Sequence, residues 1–198
     1  MKLSLKSNLS ALKKTMNGVN KDVQKAQRSA LNKTAKQTKV LASKHIRQGY
    51  NIKKKDVDSG IGITLARQVL QAKLYGKRHH KVTGFTKSRE SIPLTYFNAK
   101  QNKKGVRVRV RKKIQTKPGA FIATMPQGHK GVFVRKKTAE WNPTRKSTLP
   151  IKELTGPSVR SLFASTVNMK EMKNFAETKF PVIYRHELRY YLKIKGKQ

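Results

Sequence analysis

Arginine alternates with valine in the stretch VRVRVRKK, residues 106–113. Successive side chains of a β-strand point to opposite faces, so the pattern predicts a half-buried strand with a valine face and an arginine face. Arginines two positions apart on a strand lie about 6.5–7 Å apart, which suits contacts to a phosphate backbone without reading bases. The predicted nucleic-acid-binding residues are Arg107, Arg109, Arg111, Lys112 and Lys113. The alternative is a solvated face whose charge discourages edge-to-edge aggregation.

Groups for catalysis or metal binding are sparse. The nine acidic residues are scattered, and only Asp56 and Asp58 are near neighbours, on a lysine-rich segment where charge balance is their expected role. The adjacent histidines 79–80 would point to opposite faces of a strand. His186 lacks a second histidine at the helical spacing of a zinc protease. The chain has no cysteine, which excludes thiolate chemistry. We therefore expect no enzyme, no metal and no cofactor.

The charge balance indicates a polyanionic partner. The 198 residues include 47 Lys and Arg against 9 Asp and Glu, a formal net charge of +38. Self-repulsion at this density works against an isolated compact monomer, and cationic side chains displace the counterions condensed on nucleic acids. The N-terminal segment lacks the apolar core of a signal peptide, and no window approaches the roughly 20 apolar residues of a membrane span. We expect a soluble protein made in the cytoplasm.

The elements that position these residues change from helical to alternating periodicity along the chain. Apolar positions at helical spacing predict a helix over residues 20–48, and residues 53–60 are predicted to be a polar loop. Alternation from about residue 70 predicts an antiparallel meander of about four to five strands, with 106–111 and 131–136 in the same sheet. The predicted fold class is α+β: a long N-terminal helix, this antiparallel sheet and C-terminal helices.

Helical spacing returns near the end of the chain. Pro157 follows Gly156 and suits a first helical turn, and Pro181 is expected to start a new helix or kink the old one. We predict one domain over residues 1–198. Its three parts are an N-terminal helical part, a β-meander and the C-terminal helices, at residues 1–52, 61–136 and 149–198.

A compact apolar hairpin interrupts the cationic sequence. GAFIATMPQGHKGVFVR, residues 119–135, predicts strands near 120–125 and 131–136 across a glycine-bounded turn. With LPIKELTGPSV, residues 149–159, it resembles the signature of the phage minor tail protein Z family, the tail-completion proteins of long-tailed phages. Residues 27–57 and 92–113 are similar to that family's N-terminal helix with its basic loop and to its central hairpin.

The resemblance implies a structural virion protein, a minor tail or tail completion component at the head-proximal end of a phage tail. It implies a homo-oligomeric ring, expected to be hexameric, that joins tail to neck and contacts the DNA end. The implied partners are tail terminator, tail tube, tape measure or neck proteins and phage DNA bound independently of sequence, with no membrane, and assembly takes place in the host cytoplasm. A ribosomal or other RNA-binding structural protein is the alternative that composition alone favours.

In such a ring, the apolar hairpin and the block after it are expected to build the fold and its contacts with neighbouring subunits. The implied structural or interface residues are Phe121, Ile122, Val132, Phe133, Leu149, Pro150, Ile151, Leu154, Gly156 and Pro157.

Overall fold

The fold is α+β, as the periodicity predicts. The structure is a computed structural model that describes residues 2–4, 21–78, 80–81, 88–89, 91–111, 113–135 and 151–195. Its helices are α1 (Lys21–Gly49), α2 (Lys54–Gly60), α3 (Val159–Phe163) and α4 (Thr166–Lys195), with a 3-10 helix at Leu94–Tyr96. The first six strands are β1 (Lys2–Ser4), β2 (Ile61–Thr64), β3 (Lys73–Gly76), β4 (His80–Lys81), β5 (Ser88–Arg89) and β6 (Ser91–Pro93). The remaining strands are β7 (Lys100–Asn102), β8 (Gly105–Val108), β9 (Gln115–Pro118), β10 (Ala120–Thr124), β11 (Lys130–Arg135), β12 (Ile151–Glu153) and β13 (Thr155–Ser158).

Helix α1 confirms the helix predicted over residues 20–48 and packs antiparallel to α4. The ring Nδ1 of His45 lies 3.1 Å from Oδ1 of Asn168 near the start of α4. At the other end of α1, the hydroxyl of Ser29 donates to Oε2 of Glu187 at 2.6 Å. Fully buried alanines of α1, such as Ala30, let the larger side chains of α4 approach closely. The alanine-rich stripe of the sequence is therefore the contact face of this helix pair.

Pro181 lies inside α4, which continues on both sides of it, so no new helix starts there. A proline removes one helical hydrogen bond and leaves a carbonyl group without its partner. Pro181 is exposed, and water can bind that carbonyl group on the solvent side of the helix.

The strands form several small antiparallel sheets instead of one meander of four or five strands. The strand orders are β1-β3-β2, β7-β8-β9, β10-β11-β12, β13-β6 and β4-β5. The prediction that 106–111 and 131–136 share a sheet is therefore wrong, because β8 and β11 belong to different sheets. The strand predicted over 106–111 is also shorter, since β8 ends at Val108.

The side chain of Gln101 explains why these two sheets stay separate. Its Oε1 accepts a hydrogen bond from the backbone N–H of Ile122 at 2.9 Å, and its Nε2 lies 3.4 Å from the carbonyl oxygen of Ala120. A side-chain amide thus takes hydrogen bonds that a neighbouring strand would otherwise make. Gly119, with φ +67°, turns the chain between β9 and β10.

Two local predictions are wrong because tertiary contacts override the local pattern. Residues 53–60, predicted to be a loop, form α2, which buries Val57 and Asp56 completely or almost so. Pro157 lies in β13 and not in a first helical turn, so the segment from residue 149 is not entirely helical. The N-cap of α3 is Ser158, whose Oγ accepts from the N–H of Ser161 at 3.1 Å.

The core consists of two clusters that share α1. One lies between the C-terminal half of α1 and the sheets, and it buries Ile46, Phe97 and Phe163. The other lies between α1 and α4, where the rings of Phe180 and Tyr184 stack with centroids 5.9 Å apart. Val106 and Val108 belong to the first cluster, which therefore fixes the sheet that carries Arg107 to the helices.

Candidate nucleic-acid interface

Strand β8 places Arg107 on the exposed face of the β7-β8-β9 sheet. Val106 and Val108 on either side of it are buried, which confirms the predicted alternation in this strand. The register places Lys100 of β7 and Thr116 of β9 directly opposite Arg107. Directly opposite residues share one face of a sheet, and all three are exposed. Two cations therefore lie side by side on this face.

The chain leaves the sheet after Val108. The backbone N–H of Arg109 donates to the carbonyl of Phe97 at 2.8 Å, and the N–H of Asn51 donates to the carbonyl of Val110 at 3.0 Å. These backbone groups are therefore not bonded to a neighbouring strand. Arg109 is exposed, but the even spacing of a strand does not extend over the three arginines.

Arg111 is held by a tyrosine that the sequence did not connect with it. Its Nη2 donates to the hydroxyl of Tyr50 at 2.8 Å, and its guanidinium carbon lies 5.1 Å from the centroid of that ring. A cation over an aromatic face is stabilised by the ring quadrupole, so the guanidinium has a preferred orientation. Lys113 is exposed, and Lys112 lies outside the described residues.

The three arginines have no acidic partner among the residues that the structure describes. Their charge is available to an external anion. Arg107 lies with Lys100 on the exposed sheet face, and Arg109 and Arg111 lie on the segment after it. Exposed cations of this kind suit contacts to a phosphate backbone, which do not read base edges.

The apolar hairpin predicted near residues 120–136 is present, and its inner residues build the fold. Phe121 pairs with Phe133 and Ile122 with Val132 in the β10–β11 register. Val132 and Phe133 are buried, whereas Phe121 and Ile122 are half-buried. The two phenylalanine rings lie with centroids 6.2 Å apart. The hairpin is thus part of the core of the single chain, with one partly accessible side.

The block after the hairpin packs on it through backbone and side-chain contacts. The N–H of Leu154 donates to the carbonyl of Val132 at 2.7 Å, and Leu154 is half-buried. Gly156 lies against the ring of Phe97, where an added Cβ would be 2.4 Å from Cε2. Ile151 is 40% exposed. Leu149 and Pro150 lie outside the described residues.

An open cavity of about 310 Å³ brings the two predicted sets of residues together. Its lining includes Leu94, Val110, Arg111, Lys117, Leu154 and Pro157. Arg111 therefore shares a surface with the block at 149–159, while Arg107 and Arg109 do not line this cavity. The cavity combines an apolar wall with two cations.

The acidic residue that joins α1 and α4, Glu187, does not lie on this cationic surface. Glu187 is buried, and its Oε1 accepts from Nζ of Lys33 at 2.6 Å. Burial alone raises the pKa of Glu187, but the hydrogen bonds from Lys33, Ser29 and His186 outweigh burial, so the pKa lies below its usual value. The carboxylate stays ionised and neutralises a lysine of the helix pair.

Neither a metal site nor a membrane span is found in the described ranges. No group of three or more histidine or acidic side chains there is arranged to hold a metal ion. Each helix there is too short or too polar to cross a bilayer.

Sequence reasoning missed Lys100 and Tyr50. The signal for Lys100 was present, because a two-residue turn at Lys103 and Lys104 fixes the register that puts Lys100 opposite Arg107. No local signal pointed to Tyr50, which lies 61 residues from Arg111 along the chain.

A family model described as Prophage minor tail protein Z (GPZ) matches residues 5–198. No curated protein and no solved structure gives a significant match to the chain.

Proposed function

The chain belongs to the prophage minor tail protein Z family, and from this premise we propose that it completes a phage tail at the head-proximal end. A structural role in the virion tail, together with other tail components, follows from the family. In our proposal the chain is one domain over residues 1–198 that has an assembly role and no catalytic one. Copies of it form a ring, expected to be hexameric, that joins the tail to the neck.

The observation that carries the proposed DNA contact is the exposed cationic face of the β7-β8-β9 sheet. Arg107 and Lys100 lie side by side on it, and Arg109 and Arg111 follow on the adjoining segment. Each of these side chains is free of acidic partners in the described part of the chain. We propose that this face meets the end of the phage DNA inside the ring, without sequence preference.

The proposed ring partners follow from the charge and the family. The formal net charge of the chain, +38, favours acidic neighbours. We propose that the tail terminator, tail tube, tape measure or neck proteins supply some of these contacts. The apolar hairpin and the block at 149–159 contribute subunit contacts through their accessible side chains, such as Phe121 and Ile151.

Binding to duplex DNA over a range of salt concentrations tests the DNA contact. The plot of log affinity against log salt has a negative slope, and each lost phosphate contact makes that slope flatter by about 0.9. The triple change of Arg107, Arg109 and Arg111 to Gln is therefore expected to make the slope flatter by up to about 2.7. The ring should persist, because Val106 and Val108 are untouched.

A control variant changes three other exposed cations, Lys54, Lys55 and Arg78, to Gln, and removes the same charge elsewhere. An equal loss of slope in both variants would assign DNA binding to the whole surface and not to this face. Loss of the ring in the arginine variant would instead assign the arginines to a subunit contact. Electron microscopy of tails that carry a labelled chain tests the position, and label away from the head-proximal end would contradict the proposal.

A further inference from the structure

Acidic side chains are almost absent from the described surface. Of the nine acids, Glu90 and Glu140 lie outside the described residues. Among the others, only Glu171 and Glu177 are exposed, and both lie on α4. The buried or half-buried acids are Asp22, Asp56, Asp58, Glu153 and Glu187. Within the described part of the chain, the two exposed acids that can pair with a cation of another copy therefore both lie on α4.

The outer face of α4 carries a stripe without cations. Its members recur at intervals of four, three, four and four residues, so they share one face of the helix over roughly 22 Å. The α4 stripe consists of the exposed residues Val167, Glu171, Asn174, Thr178 and Val182. The two valines are 66% and 60% exposed. The hydroxyl of Thr178 donates to the carbonyl of Asn174 at 2.9 Å, so its hydrogen-bonding group is already occupied.

Such a composition is typical of a protein contact surface. Charged residues are depleted at the centre of protein interfaces, whereas this chain is rich in lysine and arginine elsewhere. Glu171 has no ion-pair partner among the described residues, and Glu177 beside the stripe lies 3.9 Å from Lys173, with both side chains more than half exposed. An ion pair this exposed contributes little to stability, so Glu177 can leave Lys173 and pair with a cation of another copy.

A complementary surface lies on α1. The α1 stripe consists of the exposed residues Lys36, Val40, Lys44 and Arg47, at intervals of four, four and three residues. Val40 is 65% exposed at its centre. Its three cations form no ion pair within the described part of the chain. An exposed valine flanked by cations on α1 matches exposed valines with acids on α4.

The α4 stripe points away from α1 of the same chain. Residues that join the helices, such as His45 on α1 and the buried Ala176 on α4, mark the facing sides of the pair. At 3.6 residues per turn, Thr178 lies about 160° around α4 from Ala176. On α1, Lys36 lies about 180° from His45 but only about 20° from Ser29, which donates to Glu187 of α4, so the α1 stripe runs along the flank of the helix pair. The α4 stripe therefore faces away from α1 of its own chain, and the two stripes can meet only between two copies. A contact of this kind is head-to-tail, and such contacts form a ring when the rotation between neighbouring copies closes.

We propose that the α4 stripe of one copy packs on the α1 stripe of the next copy. Glu171 and Glu177 then meet Lys36 and Lys44, while the exposed valines pack between them. The proposal rests on the ring of the proposed function and names the surfaces that hold it. Because most other charged side chains on the described surface are cations, this is the contact between copies that opposite charges favour most.

Charge exchange in the full-length chain tests this contact, with assembly followed by analytical ultracentrifugation. One variant carries Glu171→Lys and Glu177→Lys, and the other carries Lys36→Glu and Lys44→Glu. Each is expected to raise the concentration for half-assembly about tenfold or more, since two attractive pairs become repulsive. All four positions are exposed, and circular dichroism checks that both variants keep their helices.

When the two variants are mixed and alternate around the ring, every interface again pairs acidic with basic side chains. An alternating ring should therefore form at the wild-type concentration. The control variant Lys103→Glu with Lys104→Glu has the same change in net charge as the α1 variant, in an exposed turn. It should assemble alone, and it should not rescue the Glu171→Lys, Glu177→Lys variant.

Three results overturn the inference, and they are distinguishable. If both charge variants assemble at the wild-type concentration, the ring of the proposed function is kept but its contact lies on other surfaces. A Lys36→Glu, Lys44→Glu variant that keeps the ring but loses DNA affinity would make the α1 stripe a nucleic-acid surface. A wild-type chain that stays monomeric at all concentrations would refute the ring of the proposed function together with this contact.

Discussion

Replacement of Glu187 by alanine should destabilise the fold by about 2–4 kcal/mol, because two charge-assisted hydrogen bonds join α1 and α4 at this carboxylate. Ser29 and Lys33 both donate to it at 2.6 Å, and the carboxylate itself is 4% exposed. A hydrogen bond to a charged group is worth about 1.5–3 kcal/mol. Lys33 is 54% exposed and can turn to water after the change, so the loss stays below the sum of two such bonds.

The measurement is urea unfolding followed by circular dichroism at pH 7, with Glu177→Ala as a matched control on the exposed side of the same helix. The control should change the free energy of unfolding by less than about 0.5 kcal/mol. A double-mutant cycle with Lys33→Ala separates the lysine contact from the rest of the site. An unfolding free energy of Glu187→Ala equal to that of the control would refute the assigned role of the carboxylate.

The same site predicts a pH dependence. The pKa of Glu187 in the folded chain is lowered from 4.5, so the unfolded chain binds the proton more tightly. The stability from ionised Glu187 is therefore present above pH 4.5 and is lost as the pH falls through the lower folded pKa. Between those values the unfolding free energy of wild type should fall more steeply with decreasing pH than that of Glu187→Ala. Parallel curves would contradict the lowered pKa.

Three further changes test the packing. Phe133→Ala should cost about 3–5 kcal/mol in urea unfolding, because the ring is buried, and Phe121→Ala should cost less; equal losses would contradict the different burial. Gly156→Ala should destabilise by about 1–3 kcal/mol, because its Cβ would meet the ring of Phe97, and an unchanged melting temperature would show that the ring can move away. Gln101→Ala should cost about 0.5–1.5 kcal/mol, because the N–H of Ile122 exchanges its side-chain acceptor for water, and faster amide hydrogen exchange at residue 122 checks this directly.

The cationic surface around Arg107 was predicted in part. The alternation of Val106, Arg107 and Val108 correctly assigned the buried and exposed faces, because strand sidedness depends only on neighbouring residues. The continuation of that pattern to Arg111 did not extend the strand. Its backbone carbonyl and N–H groups find partners in distant segments, and no local pattern encodes that choice.

The sequence by itself determined the long helix α1, the alternation within β8, the β10–β11 hairpin and the family, since each depends on residues close together or in a fixed order. Only the tertiary structure decided that the strands divide into small sheets, that α2 is helical and that Arg111 rests on Tyr50. It also decided that Glu187 bonds to Ser29, 158 residues away. These features depend on which surfaces meet when the core forms. The free energy of burial then overrides local propensity, so even a polar segment such as residues 54–60 becomes a helix where Val57 can be buried.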